Sequence, residues 1–306
     1  MLIIGSRGSQ LALWQAHWIQ ARLAAFGEES RIEIIKTTGD KITDVSLSKV
    51  GSQVGSKGLF TKEIEEALLA GTIDLAVHSL KDMPTELPPG LTLAAIPERE
   101  DPRDALVGRA LENLGTGARV GTGSLRRAAQ LRARRPDLQI EDIRGNVDTR
   151  LRKLDEGRYD AIVLASAGLR RLGWENRITE VFNPGVLCPA VGQGALAVET
   201  RDDNGAAFQI ARQLEHAESR TRVTAERAVL AALGGGCQAP MGSHAYVDGQ
   251  TLIAIAIIVS PDGTQVIRQG KHGPVEDPES LGRSLAEQLL AAGGKEILDA
   301  VYGAQA

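Results

Sequence analysis

Aromatic side chains make up only 3% of this 306-residue sequence, four Phe, three Tyr and three Trp. That is too few for the stacking platforms on which single-stranded nucleic-acid binders lay their bases. Cysteine is scarcer still: Cys188 and Cys237 are the whole complement, so a disulfide framework is excluded, and no Cys/His pattern has zinc spacing. Long apolar runs are missing as well. The longest, Leu252 to Val259, falls far short of the ~20 residues a membrane-spanning helix needs. Met1-Leu2-Ile3-Ile4-Gly5-Ser6-Arg7 has no basic leader ahead of an apolar core and does not read as a secretory signal. The expectation is a cytoplasmic protein with reduced thiols, without a membrane or nucleic-acid partner.

Lysine is also in short supply, and here the shortage points somewhere. Of 35 basic residues, 26 are Arg and nine Lys. The chain as a whole carries −4, yet the stretch Arg99 to Arg177 holds sixteen Arg, one Lys and twelve acids, a net of +5. Arginine grips carboxylates and phosphates through two parallel hydrogen bonds, so an anionic ligand is the first suspicion. A nucleic-acid backbone fits poorly, because such binders are strongly basic as a domain. With 42% hydrophobic and 24% charged residues, the chain has the composition of a folded globular protein, long enough for two or three cores.

Short apolar runs alternate with helical patterns through the first two thirds, the grammar of α/β units around a largely parallel sheet. Leu2-Ile3-Ile4 reads as a strand emptying into Gly5-Ser6-Arg7-Gly8-Ser9 and then a helix with a broad apolar face. Ile32 to Thr37 and Ile73 to Val77 read as further strands, and Thr61 as the N-cap of a helix through Ala70. Val120-Gly121-Thr122-Gly123-Ser124 again runs from a strand into a helix, Leu125 to Arg134. The segment Gly157 to Ser166 matches Gly71 to Ser79: a helix closes at Gly, Asp follows three residues later, and a buried strand ends in small residues. Two such halves suggest paired α/β domains facing across a cleft, with ligands at the carboxyl ends of the strands. From about residue 215 the rhythm changes. Met241 to Val247, Leu252 to Val259 and Gln265 to Gly270 are separated by Asp248-Gly249 and Pro261-Asp262-Gly263, which predicts an antiparallel sheet. Pro278 then opens a helix with Leu281, Leu285 and Leu289 on one face.

Asp82 follows a buried strand in Val77-His78-Ser79-Leu80-Lys81-Asp82-Met83-Pro84. It reads either as a loop carboxylate paired with Lys81 or as a functional group at a strand end. His78 reads as a hydrogen-bonded core histidine. Arg7, Arg126, Arg127, Arg144, Arg150 and Arg171 all fall in strand-to-helix connections, whereas Arg132, Arg134 and Arg135 lie late in a helix, where its dipole accounts for them. Cys237 follows three glycines, a setting that suits either an exposed thiolate or a small buried residue. Cys188 reads as structural.

Seven ordered stretches together resemble the porphobilinogen deaminase family over nearly the whole chain. They are Ser6 to Gln15, Lys57 to Glu63, His78 to Pro84, Gly121 to Arg127, Arg144 to Leu151, Pro189 to Gly194 and Gly235 to Pro240. The resemblance implies two α/β domains similar to periplasmic binding proteins and a smaller C-terminal α+β domain. Its boundaries would be 1–96 with 193–213, then 97–192, then 214–306. It implies a dipyrromethane cofactor joined to Cys237 by a thioether, onto which four porphobilinogen molecules condense with loss of ammonia, before hydrolysis releases hydroxymethylbilane. Each pyrrole carries an acetate and a propionate, so a dense set of cations is required. The implied cofactor set is Lys81, Thr122, Ser124, Arg126, Arg127, Arg144 and Gly145 with Cys237. The implied substrate set is Arg7, Ser9, Gln15, Phe60, Arg144, Arg150, Arg171 and Gln193. Asp82 would steady the cation that forms on the pyrrole nitrogen and move protons, and the enzyme would be a monomeric transferase. The alternative is a non-catalytic two-lobed anion-binding protein. Two places depart from the family pattern: the Lys49 to Lys57 segment is longer than usual, and Gly123 stands where a hydroxyl residue is common.

Overall fold

The computed structural model describes residues 1–41, 60–234 and 239–303. The Lys49 to Lys57 segment and Cys237 lie outside them. Three sheets organise the chain. The first contains β1 (Leu2–Ser6), β2 (Ser30–Ile34), β3 (Leu75–Ser79), β4 (Leu91–Ala95) and a late strand, β10 (Leu196–Arg201), in the order β2-β1-β3-β10-β4. The second contains β5 (Asp104–Gly108), β6 (Arg119–Gly121), β7 (Gln139–Glu141), β8 (Ala161–Ala165) and β9 (Ile178–Val181), in the order β7-β6-β8-β5-β9.

Position by position the two sheets match. In each, three strands pair in parallel and the fourth, β10 or β5, runs antiparallel to both its neighbours. These two strands are the ones the chain makes as it crosses over. It enters the second lobe through β5 and returns to the first through β10, so each is fed from the opposite end of its sheet. The repeat at Gly71 and Gly157 has a structural job. Asp74 accepts from Ile3 N at 2.8 Å and donates its own N–H to Ile3 O, and Asp160 treats Arg119 in the same way at 2.9 Å. Each aspartate thus fastens the incoming strand to the strand it pairs with, β3 to β1 and β8 to β6.

Apolar side chains close both lobes. Ile4, Ile19, Leu23, Leu75 and Val77 are buried together in the first, and Leu106, Val120, Val163 and Phe182 in the second. Helix Leu125–Arg134 begins where expected, with Ser124 Oγ accepting from Arg127 N. Thr61 occupies the N-cap position of helix Lys62–Leu69, but its side chain makes no capping bond.

The third sheet is an antiparallel meander, β11 (Met241–Asp248), β12 (Thr251–Val259) and β13 (Val266–Pro274). Strand β13 runs beyond Gly270 because it pairs along the whole of β12, out to Thr251 opposite Pro274. Helices Ala217–Ala232 and Pro278–Leu289 cover one face, with Val229, Ala254, Leu285 and Leu289 fully buried between. No helix among the described residues is long and apolar enough to cross a membrane.

Candidate active site

The connections that leave β1, β3, β6 and β8 carry most of the sequence-predicted residues to the space between the lobes. On the first lobe, Ser9 caps helix Gln10–Ala25 by accepting from Ala12 N. Gln15, one turn further, is buried and donates to Ser79 Oγ at 3.0 Å at the end of β3. Arg7 pairs with Asp40 and lies 4.1 Å from the centroid of the Phe60 ring. Burial pushes the Asp40 carboxyl up, but bonds from Arg7 and Thr37 outweigh it and hold it below its ordinary value. His78 behaves as a core histidine: its Nε2 lies 3.0 Å from Glu199 Oε2, and both side chains are buried.

On the second lobe the centre is Asp104, the first residue of β5 and a group the sequence reading missed. It is wholly buried and receives Arg126 Nη1 at 2.7 Å, Arg127 Nε at 2.9 Å and Gln193 Nε2 at 2.8 Å. Burial would raise its pKa, but the two guanidiniums prevail and hold it well below the usual carboxylate range. Arg126 also donates to Cys188 O, Arg127 to Val163 O at 3.1 Å, and Gln193 to Pro102 O at 2.7 Å. Gln193 thereby ties the second crossover to the first. Cys188 is buried beside this knot with its thiol pushed up to about 12 by burial, which makes it an inert packing residue.

Thr122 and Ser124 line the turn before Arg126, with Thr122 Oγ1 accepting from Ser124 N. Gly123 has a steric explanation: a Cβ there would sit 2.9 Å from Ile143 O. Gly145 adopts φ +110°, which a side chain would oppose, and its carbonyl accepts from Arg150 Nε at 2.7 Å. Arg144 pairs with Asp142 at 2.8 Å.

Two guanidiniums differ from the rest. Arg150 is half-buried and Arg171 buried, and neither forms an ion pair among the described residues. Arg171 donates to Gly194 O at 2.7 Å and lies 5.8 Å from the Trp14 ring, which joins the lobes. Burial lowers both to about 10, with repulsion from Arg127 and Arg144 adding to the effect on Arg150. On the first lobe, Lys81 is lowered to about 8 by burial, with Arg127 and Arg126 adding to the effect and Asp82 and Asp104 opposing it. Asp82 itself ends the single helical turn Leu80–Asp82 and is exposed.

This donor set fits a polycarboxylate. Asp104 answers two cations and Asp142 one, while Arg150 and Arg171 have only backbone carbonyls and no carboxylate, and the buried Nε of Arg126 no hydrogen-bond partner, among the described residues. Uncompensated buried charge is costly, and an anionic ligand is what would relieve it. No group of His, Cys, Asp and Glu able to hold a metal occurs among the described residues. Sequence reasoning also missed Arg99 and Glu226, which pair at 2.7 Å between the first crossover and the third domain. Neither stands in a recognisable motif. Only Glu226 carries a signal, as a carboxylate on the apolar face of its helix, flanked by Val223 and Val229.

Fold and site together define a two-lobed protein whose cleft is built to hold a small, multiply charged anion. Residues 2–209 match the family described as porphobilinogen deaminase, dipyromethane cofactor binding domain, and residues 220–291 match porphobilinogen deaminase, C-terminal domain. The chain belongs to the porphobilinogen deaminase family. A porphobilinogen deaminase of Gloeobacter violaceus is 52% identical over 98% of this chain and 94% of its own length. That of Roseiflexus castenholzii is 53% identical over 97% of this chain and 98% of its own. Among solved structures, a methionine-binding protein aligns with 70% of this chain and 89% of its own at 13% identity and a TM-score of 0.45. The fold described above rests on strand order, independent of so distant a likeness.

Proposed function

We propose that this protein is a hydroxymethylbilane synthase, a transferase that joins four porphobilinogen molecules head to tail on a covalently held dipyrromethane and then releases the linear tetrapyrrole. The observation that carries this reading is the buried knot of Arg126, Arg127 and Asp104, with Arg127 close enough to Lys81 of the first lobe and to Arg150 of the second to repel both. Domain boundaries at 1–96 with 193–213, 97–192 and 214–306 belong to the same reading and are supported by which strands share a sheet.

When bound, dipyrromethane supplies the pyrrole end to which the first incoming ring is joined. Cys237, between helix Ala217–Ala232 and β11, is the attachment thiol. Lys81, Thr122, Ser124, Arg126, Arg127, Arg144 and Gly145 hold the cofactor's acetate and propionate groups. Asp104 keeps Arg126 and Arg127 fixed, so their remaining donors are aimed before ligand arrives, which lowers the ordering cost of binding. Arg7, Ser9, Gln15, Phe60, Arg144, Arg150, Arg171 and Gln193 serve the incoming porphobilinogen and the growing chain. Bidentate forks set the tilt of each ring as well as neutralising it. Asp82 faces the ring nitrogen of the reacting substrate. As ammonia leaves, positive charge spreads to that nitrogen, and a carboxylate placed there stabilises it and can carry a proton away once the rings are joined. Monomeric action in the cytoplasm completes the proposal.

The test is an intact-mass spectrum of the purified protein with a turnover assay on porphobilinogen. The expected result is an added mass of two pyrrole units, lost in Cys237→Ser, and ammonia released as porphobilinogen is consumed. Active enzyme with the mass of the bare polypeptide would overturn it.

A further inference from the structure

Asp82 is exposed on a three-residue turn, so its aim depends on what grips the loop at either end. Upstream the grip is local to the first lobe and the crossover. Leu80 N donates to Ala195 O at 3.0 Å, and the Leu80 side chain is buried so close to Gly192 that a Cβ there would meet its Cγ at 2.9 Å. Downstream the grip comes from elsewhere in the molecule. Arg227 Nη2 donates to Pro84 O at 2.7 Å and to Thr85 O at 3.1 Å. One guanidinium nitrogen therefore bridges two consecutive carbonyls and fixes the peptide plane between them. Arg227 stands on helix Ala217–Ala232 of the third sheet's domain.

Two further features give this contact a purpose. Behind it lies a cavity of about 380 Å³ whose lining includes Thr85, Ile96, Val223, Arg227 and Ala231. Without the guanidinium, both carbonyls lose their donor and Thr85 borders open volume into which the strap can shift. In addition, the helix that carries Arg227 ends at Ala232, five residues before Cys237 in the sequence. The helix that grips the Asp82 loop is thus the element that precedes the cysteine in the sequence.

We infer that Arg227 is a positioning residue for the reaction, holding Asp82 at a set place relative to helix Ala217–Ala232 through the carbonyls of Pro84 and Thr85. The inference rests on the reading of Asp82 as the reacting carboxylate. A displacement of about 1 Å at such a group can cost a hundredfold in rate.

The experiment compares holoenzyme of wild type, Arg227→Met, Arg227→Lys and Asp82→Asn. Met keeps the apolar stem of the arginine and removes its donors, and Lys restores one donor. Arg227→Met is expected to retain the two-pyrrole mass and a KM within about twofold of wild type while kcat falls about 10- to 100-fold, with Arg227→Lys recovering part of the loss. Amide exchange over residues 83–86 should rise in Arg227→Met, a readout independent of activity. Native kcat in Arg227→Met while Asp82→Asn is inactive overturns the positioning role alone. Near-native turnover in Asp82→Asn overturns the reading of the carboxylate, and the inference with it. Should Arg227→Met fail to fold, Arg227→Lys decides: a partial loss of kcat with raised amide exchange over residues 83–86 supports the grip, and native kcat, or a loss of kcat without raised exchange, refutes it.

Discussion

Arg150 and Arg171 are the residues in which the ligand's chemistry is most plainly written. Each holds a guanidinium in a partly or fully buried place with a backbone carbonyl as acceptor, and each is lowered to about 10 as a result. A charge-assisted hydrogen bond contributes about 1.5–3 kcal/mol. Arg150→Leu should therefore weaken productive substrate capture by roughly 10- to 100-fold in kcat/KM, measured by steady-state assay, and unchanged kinetics would return Arg150 to a structural role. Asp82→Asn should remove most turnover while leaving the unfolding temperature and the covalent mass as they are. Lys81 gives a pH signature. Burial lowers it from 10.5 to about 8, so between those values the unfolded chain binds more protons than the folded one, and stability rises with pH. Below 8 the full penalty of the buried ammonium is present. In the cofactor-free protein, the stability of wild type relative to Lys81→Met should climb from pH 8 towards 10.5, and parallel curves would contradict the assignment.

At the level of elements, strand β5 does more than complete a sheet. Its first residue, Asp104, anchors the opening turn of helix Leu125–Arg134 through Arg126 and Arg127 and the returning crossover through Gln193. Breaking a buried ion pair at one partner costs about 3–5 kcal/mol because it strands the other charge. Asp104→Asn should accordingly lower stability by about that amount in denaturant unfolding and impair cofactor loading as well. The helices were legible from their apolar faces and from Pro278 at a helix start; the cap read from the sequence, Thr61, makes no capping bond, and it is Ser9, Ser124 and Asp277 that cap their helices. The repeated Gly-x-x-Asp was legible as a pattern, and the hydrogen bonds of Asp74 and Asp160 supply its reason. Asp104 was not legible. In Asp104-Ala105-Leu106-Val107 it is a charge at the edge of an apolar run, and only its distant partners distinguish it from a solvated strand end.

For the molecule as a whole, the crossovers are the joint. Arg99 from the first donates to both oxygens of Glu226 at 2.7 and 3.0 Å and to Gln193 O at 2.9 Å, while Gly192 N and Ala245 N complete the same carboxylate. One buried glutamate on the third domain thus holds the two segments about which the lobes would turn. Glu226→Gln should lower the unfolding temperature and split the calorimetric transition, with the third domain melting apart from the other two. A single cooperative transition at the wild-type temperature would show that the domains are coupled elsewhere.

What lay within reach of a linear reading was whatever depends on neighbours along the chain. Periodicity set the helices and strands, turn chemistry set the meander, and an excess of arginine at strand ends announced an anionic ligand. Tertiary assembly decided the rest. Strand β10 joins β3 and β4 across about a hundred intervening residues, Asp104 finds its arginines 22 and 23 residues along the chain, and Glu226 and Arg227 acquire their partners through contacts between domains. Among the described residues, the same fold leaves Arg150 and Arg171 without carboxylates while supplying one to Arg126 and Arg127. Burial and charge pairing are properties of the packed whole. No count of arginines along the chain could separate those that build the cleft from those that await its ligand.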